Sequence, residues 1–305
     1  MNSPTHTPYD GSAKPFTIGL KPLDPDEWIE VDALLGDYLN EKERHYAAIP
    51  NQVFAAEPGT EEAQREVLEL LADYLPRRFP ETYEREADSI LIPSLGRSVS
   101  LSEAATPPLV RASMLVQEDL VLMCKGEDGW RLSAASLCFP SSWSLQEKFG
   151  RPLVDIHEPV PQFGRGSRSA DLIERMFDKL QGQAVVRLNW SLQDDPERYR
   201  PLSAHQRVER AESRPLRFPG EDPAAAAFIR VERQTLRKLP ASGDILFTIR
   251  IHLDPMSVLA QHPERAAIAA SFAEQLLSLD YEQLDYKGLA ADRDRLVATL
   301  RKMAA

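Results

Sequence analysis

The sequence predicts an α+β fold in which a five-stranded antiparallel sheet carries inserted helices and has further helices at both ends of the chain. Three observations predict it. Both ends of the chain place apolar residues at three- and four-residue spacings, which is typical of amphipathic helices. Five runs within residues 109–256 are rich in apolar and β-branched residues, as in strands. Two pairs of these runs are joined by short glycine-containing loops, which predict hairpins.

The amino-terminal part is predicted to be a disordered segment at 1–15 followed by a helical region at 16–108. From Asp24 an acidic first turn leads into apolar residues at helical spacing, so an amphipathic helix is expected to begin there. A second helix is expected after an N-cap at Thr60 and should end before Pro76. We interpret its charged face as solvated rather than as a binding surface.

The predicted sheet lies within residues 109–256. Its first two strands flank the loop KGEDG in SMLVQEDLVLMCKGEDGWRLSAASLCFP. Short helices are expected next, at Ser144–Phe149 and Ser169–Leu180. The other three strands are expected at Gln183–Gln193, Ala227–Pro240 and Asp244–Pro255. A sheet with helices inserted after its second strand can leave a cavity between the two layers.

The connection at 194–226 is long, polar and rich in proline, without clear periodicity. A lid or partner surface and plain disorder are both compatible with it. The chain closes at 257–305 with helices predicted at Pro263–Leu279 and Leu289–Met303.

Composition narrows the classes of function. Acidic residues outnumber basic ones by 47 to 36, and the net charge of −11 disfavours nucleic acid as a partner. No apolar run approaches the roughly 20 residues that span a bilayer, so no membrane association is expected. The two cysteines lack metal-ligand spacing, and a reduced cytoplasmic setting is the simplest expectation.

No GxSxG, P-loop, GxGxxG or HExxH motif is present, so the functional question falls on His157. Apolar residues precede it, and Pro159 and Pro161 fix the backbone after it. A histidine in such a context can be a hydrogen-bonded structural residue. It can also be an axial ligand to haem iron, for which one ring nitrogen faces the metal and the other is held by an acceptor. Asp155 and Glu158 are the candidate acceptors.

Two strands carry polar residues on one face. In VVRLNWSL, Arg187 and Asn189 alternate with Trp190, and in RVERQTL, Glu232 alternates with Arg233. One interpretation is a solvated sheet face with cross-strand ion pairs. The other is a polarised binding site above a cofactor.

Several runs together resemble the family of the haem-dependent oxidative N-demethylase alpha subunit. They are GWRLSAASLCFPSSW, EKFGRPLVDIHEPVP, VVRLNWSL and FIRVERQTLRKLP, with PFTIGLKPLD and DEWIEVD earlier, and the likeness runs from about Phe16 to the carboxy-terminal helices. The resemblance implies a PAS-like fold that binds haem b, with His157 as the iron ligand. One departure is that Pro159 and Pro161 disfavour a regular helix directly after the ligand.

The resemblance also implies an activity. A small secondary amine such as dimethylamine would be demethylated by this monooxygenase-type enzyme with dioxygen, using electrons from a separate NADPH-dependent reductase that carries flavin and an iron–sulfur centre. The chain has no Cys₄ cluster set or nucleotide fingerprint of its own. The expected catalytic residues are Asn189, Glu232 and Arg233, and the expected cofactor-binding residues are His157, Arg187 and Trp190.

Two other hypotheses stay open on sequence. The chain can be a haem-binding gas or redox sensor without turnover, with its output in a separate partner. It can also be a scaffold that has lost its cofactor and acts in complex assembly, because one fold hosts many functions.

Overall fold

The computed structural model describes residues 3–180 and 182–305. Its strands are β1 (Lys21–Pro22), β2 (Phe54–Ala56), β3 (Glu84–Glu86), β4 (Ser89–Ile92), β5 (Arg97–Ser100), β6 (Asp119–Gly126), β7 (Gly129–Ser136), β8 (Val185–Gln193), β9 (Phe228–Lys238) and β10 (Ile245–Pro255). In the described residues, seven strands form one sheet in the order β1-β8-β9-β10-β6-β7-β2, and β3-β4-β5 form a second. All pairings within both sheets are antiparallel.

The helices surround the large sheet. They are α1 (Leu35–Ala48), α2 (Pro50–Val53), α3 (Glu61–Arg78), α4 (Pro108–Ser113), α5 (Leu145–Lys148), α6 (Leu153–Ile156), α7 (Arg168–Lys179), α8 (Ala204–Ser213), α9 (Pro223–Ala226), α10 (Arg265–Ser278), α11 (Tyr281–Lys287) and α12 (Arg293–Ala304). The fold is therefore α+β, as predicted. None of the helices in the described ranges is long and apolar enough to cross a bilayer.

The five predicted strands are β6 to β10, which lie side by side as the central part of the large sheet. Helices α5 to α7 follow the second of them, also as predicted. The predicted count of five is too low, because β1 and β2 extend the sheet at its two edges. These edge strands have only two and three residues, too few to show an alternating pattern.

The first helix does not begin at Asp24. The Asp24 side chain accepts a hydrogen bond from the Asp26 amide and closes a short 3₁₀ turn at Pro25–Glu27. The Asp32 side chain accepts in the same way from the Leu34 amide at 2.8 Å, and α1 starts only after it. Such local side-chain bonds compete with the helix for backbone groups. The predicted stop before Pro76 is also wrong, since α3 runs through Pro76 in its last turn.

The segment 1–15, predicted to be disordered, and the connection at 194–226, for which a lid or partner surface and disorder were both open, each contain ordered contacts. Met1 and Asn2 lie outside the described residues, but Tyr9 is buried and stacks on Phe272 with ring centroids 4.5 Å apart. In the connection at 194–226, Ser203 and Gln206 form a capping box that starts α8. Within the described residues, both segments therefore contain ordered contacts.

The two faces of the large sheet have different neighbours. Leu120 and Leu122 of β6 pack into the core formed with the amino-terminal helices. Val121 and Met123 point the other way, into a cluster that includes residues of α5, α6 and α7. This second face is where the cavity described below lies. The alternation follows directly from the period of two along a strand.

Candidate functional site

A cavity of about 630 Å³ lies between the large sheet and helices α5 to α7. The connection at 194–226, α11 and the amino-terminal segment around Phe16 complete its wall. Its volume falls within the roughly 300–1,000 Å³ that is usual for small-molecule and cofactor sites. Apolar side chains from the strands and the inserted helices line much of it, among them Val121, Met123, Ile156, Phe163, Ile173 and Phe177.

His157 lies at the end of α6 and lines this cavity. Its ring Nδ1 is 2.9 Å from the carbonyl oxygen of Leu153, one turn earlier in the chain. A carbonyl only accepts hydrogen bonds, so Nδ1 carries the proton and Nε2 has a free lone pair. The acceptor is thus a backbone carbonyl. The two predicted acceptors are engaged elsewhere, because Asp155 and Glu158 both bind Arg165.

The surroundings of His157 keep its imidazole neutral. Burial is the main cause that lowers its pKa from 6.5 to about 4, and the charges of Lys148 and Arg187 lower it further. The hydrogen bond to Leu153 opposes this shift but does not outweigh it. At neutral pH the Nε2 lone pair is therefore available as a metal ligand, which only the neutral imidazole can be.

The facing wall is the polar face of β8 and β9. Asn189 lies opposite Glu232 in the strand register, and Arg187 lies opposite Gln234. All four side chains line the cavity. Gln234 Nε2 donates to Glu232 Oε2 at 2.9 Å, and Asn189 Nδ2 lies 3.5 Å from the same oxygen. The structure therefore brings together four of the predicted site residues: His157, Arg187, Asn189 and Glu232.

Trp190 and Arg233 are not among the side chains that line the cavity, so the structure does not bring them together there with the other predicted site residues. The indole of Trp190 packs under the carboxy-terminal helices and donates to Gln275 Oε1 at 2.9 Å. Arg233 donates to the carbonyl oxygens of Glu27 and Trp28. Both residues alternate with the cavity-facing ones along their strands, so strand geometry alone sends them to the opposite face.

Several cationic side chains of the cavity were not identified from sequence. Lys148 comes from α5, Arg210 from α8 and Lys287 from α11. Burial lowers the pKa of Lys148 and of Lys287 to about 8 in each case, and it is the main cause that lowers the pKa of Arg210 to about 10. The sequence feature that could have pointed to these cations is the abundance of arginine in the connection at 194–226. Nothing in the sequence pattern pointed to the two lysines.

The residues present fit a haem. A proximal ligand requires an unprotonated imidazole nitrogen at an apolar cavity, and His157 supplies it. The two propionates of a haem are anionic, and cationic donors stabilise them where they are buried. The Nε atoms of Arg187 and Arg210 are buried without a hydrogen-bond partner among the described residues, and both side chains line the cavity. Unpaired buried donors of this kind are costly unless a ligand satisfies them.

A sequence model described as "Haem-dependent oxidative N-demethylase, alpha subunit-like" matches residues 19–297. The match covers most of the 305 residues, including every strand of the large sheet and all the cavity-lining side chains named above except Phe16. The haem named in this description is a cofactor that the residues lining the cavity could hold. The chain belongs to the haem-dependent oxidative N-demethylase alpha subunit-like family.

Proposed function

We propose that the protein is a haem-dependent oxidative N-demethylase of the monooxygenase type. Its substrate would be a small secondary amine such as dimethylamine, with dioxygen as the oxidant. Family membership supports this class of activity. The single observation that carries the proposal within the chain is the free Nε2 of His157 at the edge of a large, mainly apolar cavity.

The cofactor we propose is haem b in a PAS-like core made of β6 to β10. Five antiparallel strands with helices inserted after the second support this assignment. His157 would hold the iron, and Arg187 and Arg210 would hold the propionates through their unpaired donors. When bound, the haem would supply the oxygen chemistry, while the chain supplies position and polarity.

Glu232 is the group that we propose holds the amine. A secondary amine is an ammonium ion at neutral pH, and Glu232 is the carboxylate at the centre of the polar face of β8 and β9. Gln234 and Asn189 orient its Oε2 atom, and Arg230 lies 3.6 Å from its Oε1 atom. A carboxylate so positioned can bind a desolvated cation, because the pair is hydrogen-bonded rather than isolated.

Electrons would come from another polypeptide. The chain has only two cysteines, too few for a Cys₄ cluster, and has no nucleotide fingerprint. An alpha subunit-like family is compatible with such a partner. We propose an NADPH-dependent reductase subunit with flavin and an iron–sulfur centre as that partner.

The test is an absorption spectrum of the purified protein, recorded with and without dimethylamine, followed by an assay of formaldehyde release with NADPH and the reductase. A Soret band that shifts with the amine, together with formaldehyde release, is the expected result. A Soret band without any turnover of amines would instead favour a haem-based sensor. Protein that takes up no haem when expressed with excess haem precursor would overturn the proposal.

A further inference from the structure

A second cluster of ligating side chains lies on the opposite face of the sheet from His157. It contains His6 of the amino-terminal segment, Glu30 of the loop before α1, and His252 of β10. One ligand atom from each residue lies within 4.8 Å of the other two. We propose that these three side chains form a site for a divalent zinc-type cation, separate from the proposed haem site.

The atoms already converge. His6 Nε2 is 2.7 Å from Glu30 Oε1, and His252 Nε2 is 2.8 Å from Glu30 Oε2. The two imidazole rings meet edge to face with centroids 4.9 Å apart. An ion bonded to both Nε2 atoms and to the carboxylate would replace the two hydrogen bonds, with only small movements of the rings. Two histidines and one glutamate are a ligand set that zinc uses, with water in the fourth position.

The protein fixes part of the cluster and leaves the rest partly exposed. The Glu30 amide donates to Glu118 Oε1 at 3.0 Å, which fixes the loop that carries the carboxylate. His252 is 9 % exposed, and its position is fixed by strand β10. The side chains of His6 and Glu30 are 21 % and 25 % exposed. An ion can therefore reach the cluster from solvent on the side of His6.

Arg233 is the main argument against a cation here, because its Nε atom lies 3.3 Å from Glu30 Oε1. Its two terminal nitrogens are engaged by the carbonyl oxygens of Glu27 and Trp28, so the guanidinium is pinned beside the carboxylate rather than between the rings. The Nε2 atoms of His6 and His252 are therefore contacted by the Glu30 carboxylate and not by the guanidinium. Arg250, the next guanidinium, is compensated by Asp32 at 2.6 Å.

A bound ion would attach the amino-terminal segment, through His6, to the sheet strand that carries His252. The same segment continues through Tyr9, which is buried, to Phe16, Thr17 and Ile18, which line the proposed haem cavity. The ion would thus have a structural role, since it joins parts of the chain that are 24 and 222 residues apart. Structural metal ions contribute to folding because the unfolded chain has no preformed site.

The test is a calorimetric titration of the chelator-treated, purified full-length protein with ZnCl₂. One ion per chain is the expected result. Co²⁺ bound at the same site should give the visible d–d absorption of a four-coordinate ion. His6→Ala should weaken zinc binding by more than the roughly 10–100-fold that changes outside the ligand set cost. His6 lies near the surface, so this variant should fold even if His252→Ala does not.

Two controls make the result specific. His205→Ala removes an exposed histidine of α8 and should leave zinc binding unchanged. His157→Ala removes the other candidate imidazole and should also keep one ion per chain. Wild-type affinity in His6→Ala, or no saturable binding in the wild type, would overturn the proposal, as would loss of the ion in His157→Ala alone.

Discussion

Two imidazoles of the protein, those of His157 and His252, have opposite arrangements. At His157 the protein provides one weak acceptor, a backbone carbonyl, and leaves the second ring nitrogen facing an apolar cavity. At His252 the protein provides a carboxylate, Glu30, directly at Nε2 and a second histidine beside it. Burial is the main cause that lowers the pKa of both rings. Burial alone therefore does not distinguish the two rings, whereas the position of the free ring nitrogen does.

The largest contrast between the two histidines should appear in haem binding. His157→Ala is expected to lose the Soret band of a coordinated haem and at least about 100-fold of the amine-dependent turnover, since it removes the imidazole proposed to hold the iron. His252→Ala, once circular dichroism shows that it folds, serves as the matched control and should keep the band. Absorption spectra of the two variants after equal haem reconstitution provide the measurement. A haem spectrum that changes in His252→Ala and not in His157→Ala would assign the iron to His252 and contradict the proposal.

The next contrast concerns the polar wall that faces His157. Glu232→Gln should raise the KM for dimethylamine by roughly 10–100-fold, because a hydrogen bond to a charged group is worth about 1.5–3 kcal/mol. Haem content should remain unchanged in this variant. Steady-state assays of formaldehyde release measure the effect, and Glu212→Gln on the exposed side of α8 is the control. An unaltered KM would remove Glu232 from the amine site.

A smaller effect is expected at Arg187. Its buried Nε lacks a partner among the described residues, so Arg187→Leu should weaken haem retention by about tenfold through one lost charge-assisted hydrogen bond. Arg233→Leu removes a guanidinium from the opposite face of the sheet and should leave haem retention unchanged, although it should lower the melting temperature. Transfer of haem to an excess of apomyoglobin gives both rates. Equal rates for the wild type and Arg187→Leu would place the propionates elsewhere.

The smallest effect is a dependence of stability on pH in the haem-free protein. The pKa of His157 is about 4 in the folded state against 6.5 in its ordinary range, so the unfolded chain binds the proton more readily. Stability should therefore fall as pH decreases from about 6.5 to 4. The full shift corresponds to about 3 kcal/mol, and solvent in the cavity should reduce it to about 1 kcal/mol. Urea unfolding at several pH values, with His157→Phe as control, should show a weaker slope in the variant.

The sequence was sufficient for the long strands, and it identified a polar face of β8 and β9 without showing that this face lines a cavity. Strand alternation is a local property, so the polar face with Arg187, Asn189 and Glu232 could be predicted from neighbouring residues alone. The same rule places Trp190 and Arg233 on the other face. The edge strands β1 and β2 have no pattern long enough to detect.

Residues brought in by tertiary packing could not be predicted in this way. Lys287 reaches the cavity from α11, about a hundred residues after Arg187, and Arg210 reaches it from a connection that carried no periodic signal. The acceptor of His157 was also unpredictable, because a carbonyl at Leu153 is available only once α6 forms a turn. Sequence patterns describe faces of single elements, whereas these contacts depend on how separate elements meet.

Chemical rescue tests the central claim most directly. His157→Gly leaves room for a free imidazole at the position of the missing ring, so the haem spectrum of this variant should be restored when imidazole is added. The wild type should show no such change at the same concentration. A His157→Gly variant that keeps the wild-type spectrum without imidazole would show that another residue binds the iron and would contradict the account.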